Sequence, residues 1–318
     1  MRKEFSYGII IYSYDNNEVK YLLLKRNEGW LDFPKGHIET GEDEYAAALR
    51  ETFEETGIKL STGDLDENFE YTIKYSFTYD GEDIFKNVKM FMAEINYNNI
   101  IRISHEHAGF LWLNYDEAMF NLSYNDQKNM LKYADGYIAK KEKINELDNN
   151  YSELCNRNDW HLSKNFVPGN GNLNAKVFIV GQAPGKNEDI QKKPFVGRSG
   201  KLLTELLENN GIKRKTVYIT SVVQFYPPDN RIPDKNEINI CLPFLRKQID
   251  IIDPEIIVLL GSVAMQSLTS IKNVMNNHGK FVDNLYFITL HPAAALRNPA
   301  NLKIMESDFK KLKEIINQ

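Results

Sequence analysis

Seven residues between positions 36 and 57 form the first pattern that could do chemistry. They are Gly36, Glu42, Arg50, Glu51, Glu54, Glu55 and Gly57, spaced as G-x5-E-x7-R-E-x-x-E-E-x-G. In a helix, Glu51, Glu54 and Glu55 fall at i, i+3 and i+4, on one face and about 5–6 Å apart. Like charges this close repel. The arrangement makes sense where hard divalent cations neutralise it, because Mg²⁺ takes oxygen ligands and bridges them to phosphate oxygens. A solvated acidic helix is the alternative, and for Glu-Glu pairs in general the better reading. Arg50 can pair with a carboxylate and orient it, and Leu49 and Phe53 are expected on the opposite face, against the core. A second group lies where apolar runs end in loops: Gly181-Gln182-Ala183-Pro184-Gly185, then Ser221, Gly261 and His291-Pro292.

Elements must position these residues. Tyr7 to Tyr14 and Lys20 to Lys25 read as a hairpin around Asp15-Asn16-Asn17-Glu18. Asp43 to Thr56 reads as a helix stopped by Gly57. Glu70 to Tyr79 and Val88 to Ile95 read as strands, and Tyr115 to Ala139 as mostly helical. The segment 140–150, KKEKINELDNN, is polar and lacks Gly and Pro, so a helix end running into a linker is expected there. The predicted division is a first domain at 1–140, a linker at 141–152 and a second domain at 153–318. In the second half, buried-looking apolar runs at 177–180, 217–220, 256–260 and 285–289 alternate with helical stretches, a parallel-sheet α/β pattern. Ligands of such sheets bind at the carboxyl ends of the strands, so the loops named above nominate one site.

The chain has 318 residues and a net charge of −5. Residues 1–150 carry 17 basic and 28 acidic side chains, a net of −11, whereas the remainder carries 22 and 16, a net of +6. Cationic partners are thus expected for the first half and a polyanion for the second. No apolar run is long enough to cross a bilayer, and the start has no signal-peptide core, so a cytoplasmic location is expected. Two cysteines, Cys155 and Cys241, are expected as reduced thiols.

The segment 36–57 resembles the Nudix box, with Thr52 at a usually aliphatic position. The resemblance implies an α/β/α sandwich around a mixed sheet and Mg²⁺- or Mn²⁺-dependent hydrolysis of a nucleoside diphosphate linked to another moiety. It implies Gly36, Glu51, Glu54 and Glu55 as metal ligands, Arg50 and Glu51 as catalytic residues, and Glu106, in Ser104-His105-Glu106-His107, as the extra carboxylate beyond the box. The stretch from Trp30 to Glu39 resembles the corresponding segment of asymmetric diadenosine tetraphosphate hydrolases and so implies a long phosphate chain. Lys35 and Lys89 are candidates for pairing with phosphates. Tyr79 and Tyr124 are candidates for stacking on adenine, or equally ordinary core and surface residues.

From Leu154 onward the chain resembles type-4 uracil-DNA glycosylases, an α/β/α fold with a central parallel sheet. The matching stretches are 167–171, 180–185, 194–200, 227–233 and 291–297. Such enzymes take a base out of the stack into a snug pocket. The resemblance implies Phe195 as the stacking ring, His291 as a donor to the uracil oxygen, and Arg198, Lys201, Arg231 and Arg297 as phosphate contacts. Three positions depart from the family. Gln182 stands where the family has Glu and cannot act as a base; Ser221 stands where Asn reads uracil. The four iron–sulfur ligand positions hold Cys155, Asn158, Phe225 and Cys241, so a [4Fe–4S] cluster is predicted absent. A glycosylase of relaxed specificity and a DNA-binding module without catalysis both remain open.

Overall fold

The computed structural model describes residues 2–157 and 160–317, except for the side chain of Tyr79. The chain folds as two units, the first ending at Gly136 and the second beginning at Tyr137.

The first unit opens with two long strands, β1 (Arg2–Asp15) and β2 (Glu18–Arg26), followed by the short β3 (Leu31–Asp32) and β4 (Lys35–His37). The β1–β2 turn uses Asn16 and Asn17, both at positive φ (51° and 65°), as a two-residue hairpin demands. After α1 (Glu44–Thr56) come β5 (Tyr71–Tyr79), β6 (Glu82–Glu94), β7 (His107–Leu113) and α2 (Tyr115–Asn121). Strands β3-β2-β1-β6-β5 form the main sheet, with β4 also on β1 and β7 also on β2. The sheet is mixed, because β1 runs parallel to β6 and antiparallel to β2 and β4. Ile9, Ile11, Leu22, Phe91 and Ala93 meet Ala48 of α1 in one apolar cluster.

Helix α1 begins and ends where its sequence dictates. The Asp43 side chain accepts the Tyr45 and Ala46 N–H groups, and Gly57 closes the helix in the left-handed region at φ 70°. Its buried face matches the expected one only at Leu49, which packs against the apolar cluster. Phe53 is 52% exposed, whereas Ala47, Ala48, Thr52, Glu55 and Thr56 are buried. Small side chains let the helix lie close to the sheet. Thr52, at the usually aliphatic position, is fully buried and its hydroxyl has no partner.

Helix α3 runs from Asn125 to Ser152. The stretch read as a linker, 141–152, is therefore helical, as a segment of Lys, Glu, Leu and Ile without Gly or Pro favours.

The second unit contains β8 (Asn170–Gly171), β9 (Val177–Gly181), α4 (Lys186–Gln191), α5 (Arg198–Asn209), β10 (Tyr218–Ser221) and α6 (Lys235–Ile252). Beyond these lie β11 (Ile256–Leu260), α7 (Gly261–Leu268), β12 (Lys280–Val282), β13 (Tyr286–Thr289), α8 (Pro292–Arg297) and α9 (Pro299–Ile316). The sheet order is β12-β13-β11-β9-β10-β8. The four central strands are parallel and the two edge strands antiparallel. Ile179, Ile219, Val258 and Phe287 pack against Leu203 and Leu207 of α5 and Met305 and Phe309 of α9. Among the described residues, no helix is long and apolar enough to cross a membrane.

Candidate functional sites

In the first unit, α1 lays its acidic face along β4. Arg50 organises that face: its Nε and Nη2 donate to Glu42 at 2.7 and 3.0 Å, its Nη1 to Glu51 at 2.9 Å and Glu54 at 3.0 Å, and Nη2 also to the His37 carbonyl at 2.8 Å. The box therefore reads as one guanidinium holding three of the four carboxylates. Gly36, in β4, leaves room for the Glu51 carboxylate, which would lie 2.0 Å from a Cβ at that position.

The fourth carboxylate, Glu55, is buried. The Lys35 N–H donates to its Oε2 at 2.9 Å, while Arg26 at 3.4 Å and His107 at 3.6 Å approach Oε1. Burial pushes Glu55 up to about 7, against the opposing charge of Arg26. Arg26 also reaches Glu106 at 3.8 Å, which places the extra carboxylate beside the box. His107 is sealed from solvent, its Nε2 makes no hydrogen bond, and burial pushes its imidazolium down.

Among the described residues, no three His, Cys, Asp or Glu side chains converge as a ready cation cage, because Arg50 draws Glu51 and Glu54 to itself. The donor set nonetheless suits a hard cation. Glu51 lies directly against the backbone of Gly36, and Glu54 and Glu55 follow on the same helix face.

The remaining expected residues distribute unevenly. Lys35 pairs with Asp32, which is buried and also accepts Gln127 Nε2 at 2.8 Å. Lys89 instead pairs with Glu44, with Glu70 at 3.9 Å. Tyr124 is exposed just before α3, and the side chain of Tyr79 lies outside the described residues. On the same strand, Tyr75 and Phe77 form a half-exposed aromatic pair with centroids 5.9 Å apart. Burial, with the Asp32 charge, pushes up the Tyr75 phenol. Arg26, Asp32 and Tyr75 are invisible as site residues in the sequence, since their partners are remote in the chain.

In the second unit, a cavity of about 650 Å³ opens at the carboxyl ends of the parallel strands. Gln182, Phe195, Ser221, His291, Arg198 and Arg297 all line it. Phe195 takes positive φ (56°), with its ring against Gly181 and its carbonyl against Gly200, where a Cβ would lie 2.6 and 1.7 Å away respectively. Its ring centroid is 6.0 Å from that of His291.

The His291 Nδ1 accepts the Ala293 N–H at 3.2 Å, and burial together with Arg297 pushes the imidazolium down to about 4. The ring is therefore neutral near pH 7, with its proton on Nε2. Arg231 is occupied by Glu237 at 2.5 and 2.8 Å, and Lys201 is exposed on α5.

Glu188 is the only carboxylate among the described residues lining this cavity. It accepts the Gly185 N–H at 3.2 Å and the Gly197 N–H at 2.8 Å. Both oxygens thus clip two motif loops together.

The residues present do not fit an iron–sulfur cluster. Phe225 is fully buried, edge-on to Trp160 at 4.7 Å and to Tyr151 at 5.5 Å, and tilted against Phe166 at 5.5 Å. Tyr151 in turn stacks on Phe244 at 4.3 Å. Aromatic rings fill the position that would carry a thiolate. Cys241 is fully buried, and burial pushes its thiol up to about 12. Cys155 turns to Asn156 at 3.8 Å, and Asn158 lies outside the described residues.

Comparison with known proteins matches residues 4–134 to the NUDIX domain and residues 168–317 to the Uracil DNA glycosylase superfamily. The type-4 uracil-DNA glycosylase of Saccharolobus solfataricus is 44% identical over 171 residues, 50% of this chain and 79% of that protein. The asymmetrical bis(5'-nucleosyl)-tetraphosphatase of Mus musculus is 35% identical over 129 residues, 39% of this chain and 84% of that protein. A solved C. elegans Ap4A hydrolase complex is 28% identical, covers 43% of this chain and 98% of its own, and has a TM-score of 0.39.

Proposed function

We propose, for a chain that belongs through its first unit to the Nudix hydrolases and through its second to the type-4 uracil-DNA glycosylases, a cation-dependent nucleoside polyphosphate hydrolase joined to a DNA-binding module with weak or altered base excision.

The observation that carries the first half is the Arg50 cluster, which gathers Glu42, Glu51 and Glu54 beside Gly36. Mg²⁺ or Mn²⁺ held by Gly36, Glu51, Glu54 and Glu55 would neutralise charge developing on phosphoryl oxygens. Arg50 orients the carboxylates, a carboxylate of this face accepts the proton of the attacking water, and Lys35 steadies the phosphate chain. Incubating the chain with diadenosine tetraphosphate and Mg²⁺ tests this. ATP and AMP are the expected products, and unconsumed substrate overturns the reading.

The second half rests on the cavity itself. Phe195 supplies a stacking face and His291 a neutral Nε2–H donor for a leaving base, yet Gln182 cannot activate water and Glu188 is committed to backbone N–H groups. The neutral His291 favours, as a second reading, slow excision by leaving-group stabilisation alone. Titration of a fluorescent single-stranded oligonucleotide tests the binding. The affinity is expected to fall steeply as salt rises, and the absence of any affinity at low salt contradicts the assignment.

A further inference from the structure

We infer that the cavity of the second unit takes a two-ring keto base, a deaminated purine, in preference to uracil. The inference rests on the DNA-binding reading above and adds the class of base.

The cavity has a charged mouth and a neutral floor. Lys186, Arg198 and Arg297 line it and are exposed, whereas Ser221 lines it and is only 5% exposed. A nucleotide therefore enters with its phosphates at the mouth and with the base edge farthest from its sugar at the floor. Phe195 fixes the plane of that base. A Cβ at Gly181 would lie 2.6 Å from the tip of the Phe195 ring and 3.3 Å from Ser221 Oγ. The ring thus points its tip at the strand ends, where Ser221 stands opposite Gly181 in the parallel ladder. A base lying on Phe195 meets Ser221 with its Watson–Crick edge.

The groups that read this edge are short. The floor backbone is already engaged, since Val222 N–H donates to the Gly181 carbonyl at 3.0 Å and Val223 N–H to the Gln182 carbonyl at 3.2 Å. The side chains of Ser221 and Gln182 are left as readers. A serine hydroxyl ends one bond from Cβ, so a one-ring base that reaches it gives up part of its overlap with Phe195. Fully stacked, the same base leaves the hydroxyl unread. A purine carries its Watson–Crick edge one ring farther from the sugar and satisfies both contacts. His291 then selects among purines. Its ring stands 6.0 Å from that of Phe195, and with Nδ1 already accepting the Ala293 N–H it offers one donor and no acceptor. A 6-keto oxygen accepts that proton, whereas the 6-amino group of adenine does not. Hypoxanthine, the deamination product of adenine, carries the keto group, and a mismatched base is also the easier one to take out of the stack.

The test measures, at low salt, the affinity of the full chain for single-stranded thymine oligonucleotides that carry one central deoxyinosine, deoxyuridine or deoxyadenosine. Deoxyinosine is expected to bind about fivefold or more tighter than deoxyuridine, the worth of one net hydrogen bond, and tighter than deoxyadenosine. Ser221→Asn lengthens the reader into the space of the second ring and should reverse the order of deoxyinosine and deoxyuridine. Ser221→Ala should weaken deoxyinosine by about the same factor and leave deoxyuridine unchanged, and it decides the matter if Ser221→Asn loses its circular dichroism. Equal affinity for the three oligonucleotides in the wild type, or a preference that both variants leave in place, overturns the inference while the DNA-binding reading stands. A wild type with no affinity for any of them removes both.

Discussion

His291 accepts the Ala293 N–H on Nδ1 at 3.2 Å, which leaves its only neutral-state proton on Nε2, at the cavity. An imidazole held this way presents a donor to a leaving base without being charged. With burial and Arg297 pushing its imidazolium down to about 4, its ¹⁵N resonances should report the Nε2–H tautomer unchanged from pH 8 to about 5. A titration midpoint near 6.5, the ordinary value for histidine, contradicts this assignment.

Gln182 and Ser221 explain the weak excision expected of the second unit. Gln182→Glu with Ser221→Asn should raise uracil release from single-stranded DNA by about 10²–10⁴, the usual worth of a positioned proton-transfer group. Rapid release by the unmodified chain would show instead that water is activated elsewhere.

Tyr151, Trp160 and Phe166 pack around the fully buried Phe225 in the second unit. The purified chain should be colourless and free of iron even after anaerobic preparation, and Phe225→Ala should destabilise it by about 3–5 kcal/mol. A brown protein, or a chelator that lowers its melting temperature, contradicts this.

Asp148 is half-buried, accepts Gln248 Nε2 at 3.3 Å, and is pushed up to about 7 by desolvation. Its folded-state value lies above the unfolded value of about 4. Between these values the unfolded chain releases a proton that the folded chain keeps, so this group's stabilising contribution falls as pH rises from about 4 to about 7. Asp148→Asn should flatten that slope in urea melts and raise stability at pH 8 relative to the wild type. An identical slope in the two proteins would assign the dependence to other groups.

Local chemistry is legible in the sequence; long-range partners are not. The Asp43 cap, the Gly57 stop and the i, i+3, i+4 carboxylates define α1 through neighbours in the chain, and three of the four expected strand-end loops, at 182, 221 and 291, meet at one cavity, whereas Gly261 lies against His291 without lining it. Phe53 departs from its expected place because the buried stripe of α1 is built from Ala47, Ala48 and Thr52, so burial there does not follow side-chain size. Strand β7 escapes the sequence pattern because His107, Gly109 and its half-exposed Phe110 and Leu111 blur the period-2 alternation. Arg26 and Glu55 are 29 positions apart, and Asp32 and Gln127 are 95 apart. Only the fold brings such pairs together. Glu188 likewise reads as an ordinary surface acid in the sequence, and its two backbone donors alone distinguish it.

Whether the acidic face of α1 is the hydrolytic centre of the first unit is tested most directly by Mg²⁺-dependent turnover of diadenosine tetraphosphate in the wild type and in Glu55→Gln. The substitution preserves shape and removes a charge that Lys35 N–H and Arg26 hold in place. Wild-type turnover that chelation abolishes, with a loss of about 10²-fold or more in the variant, is the predicted result. Undiminished turnover by Glu55→Gln would contradict the account.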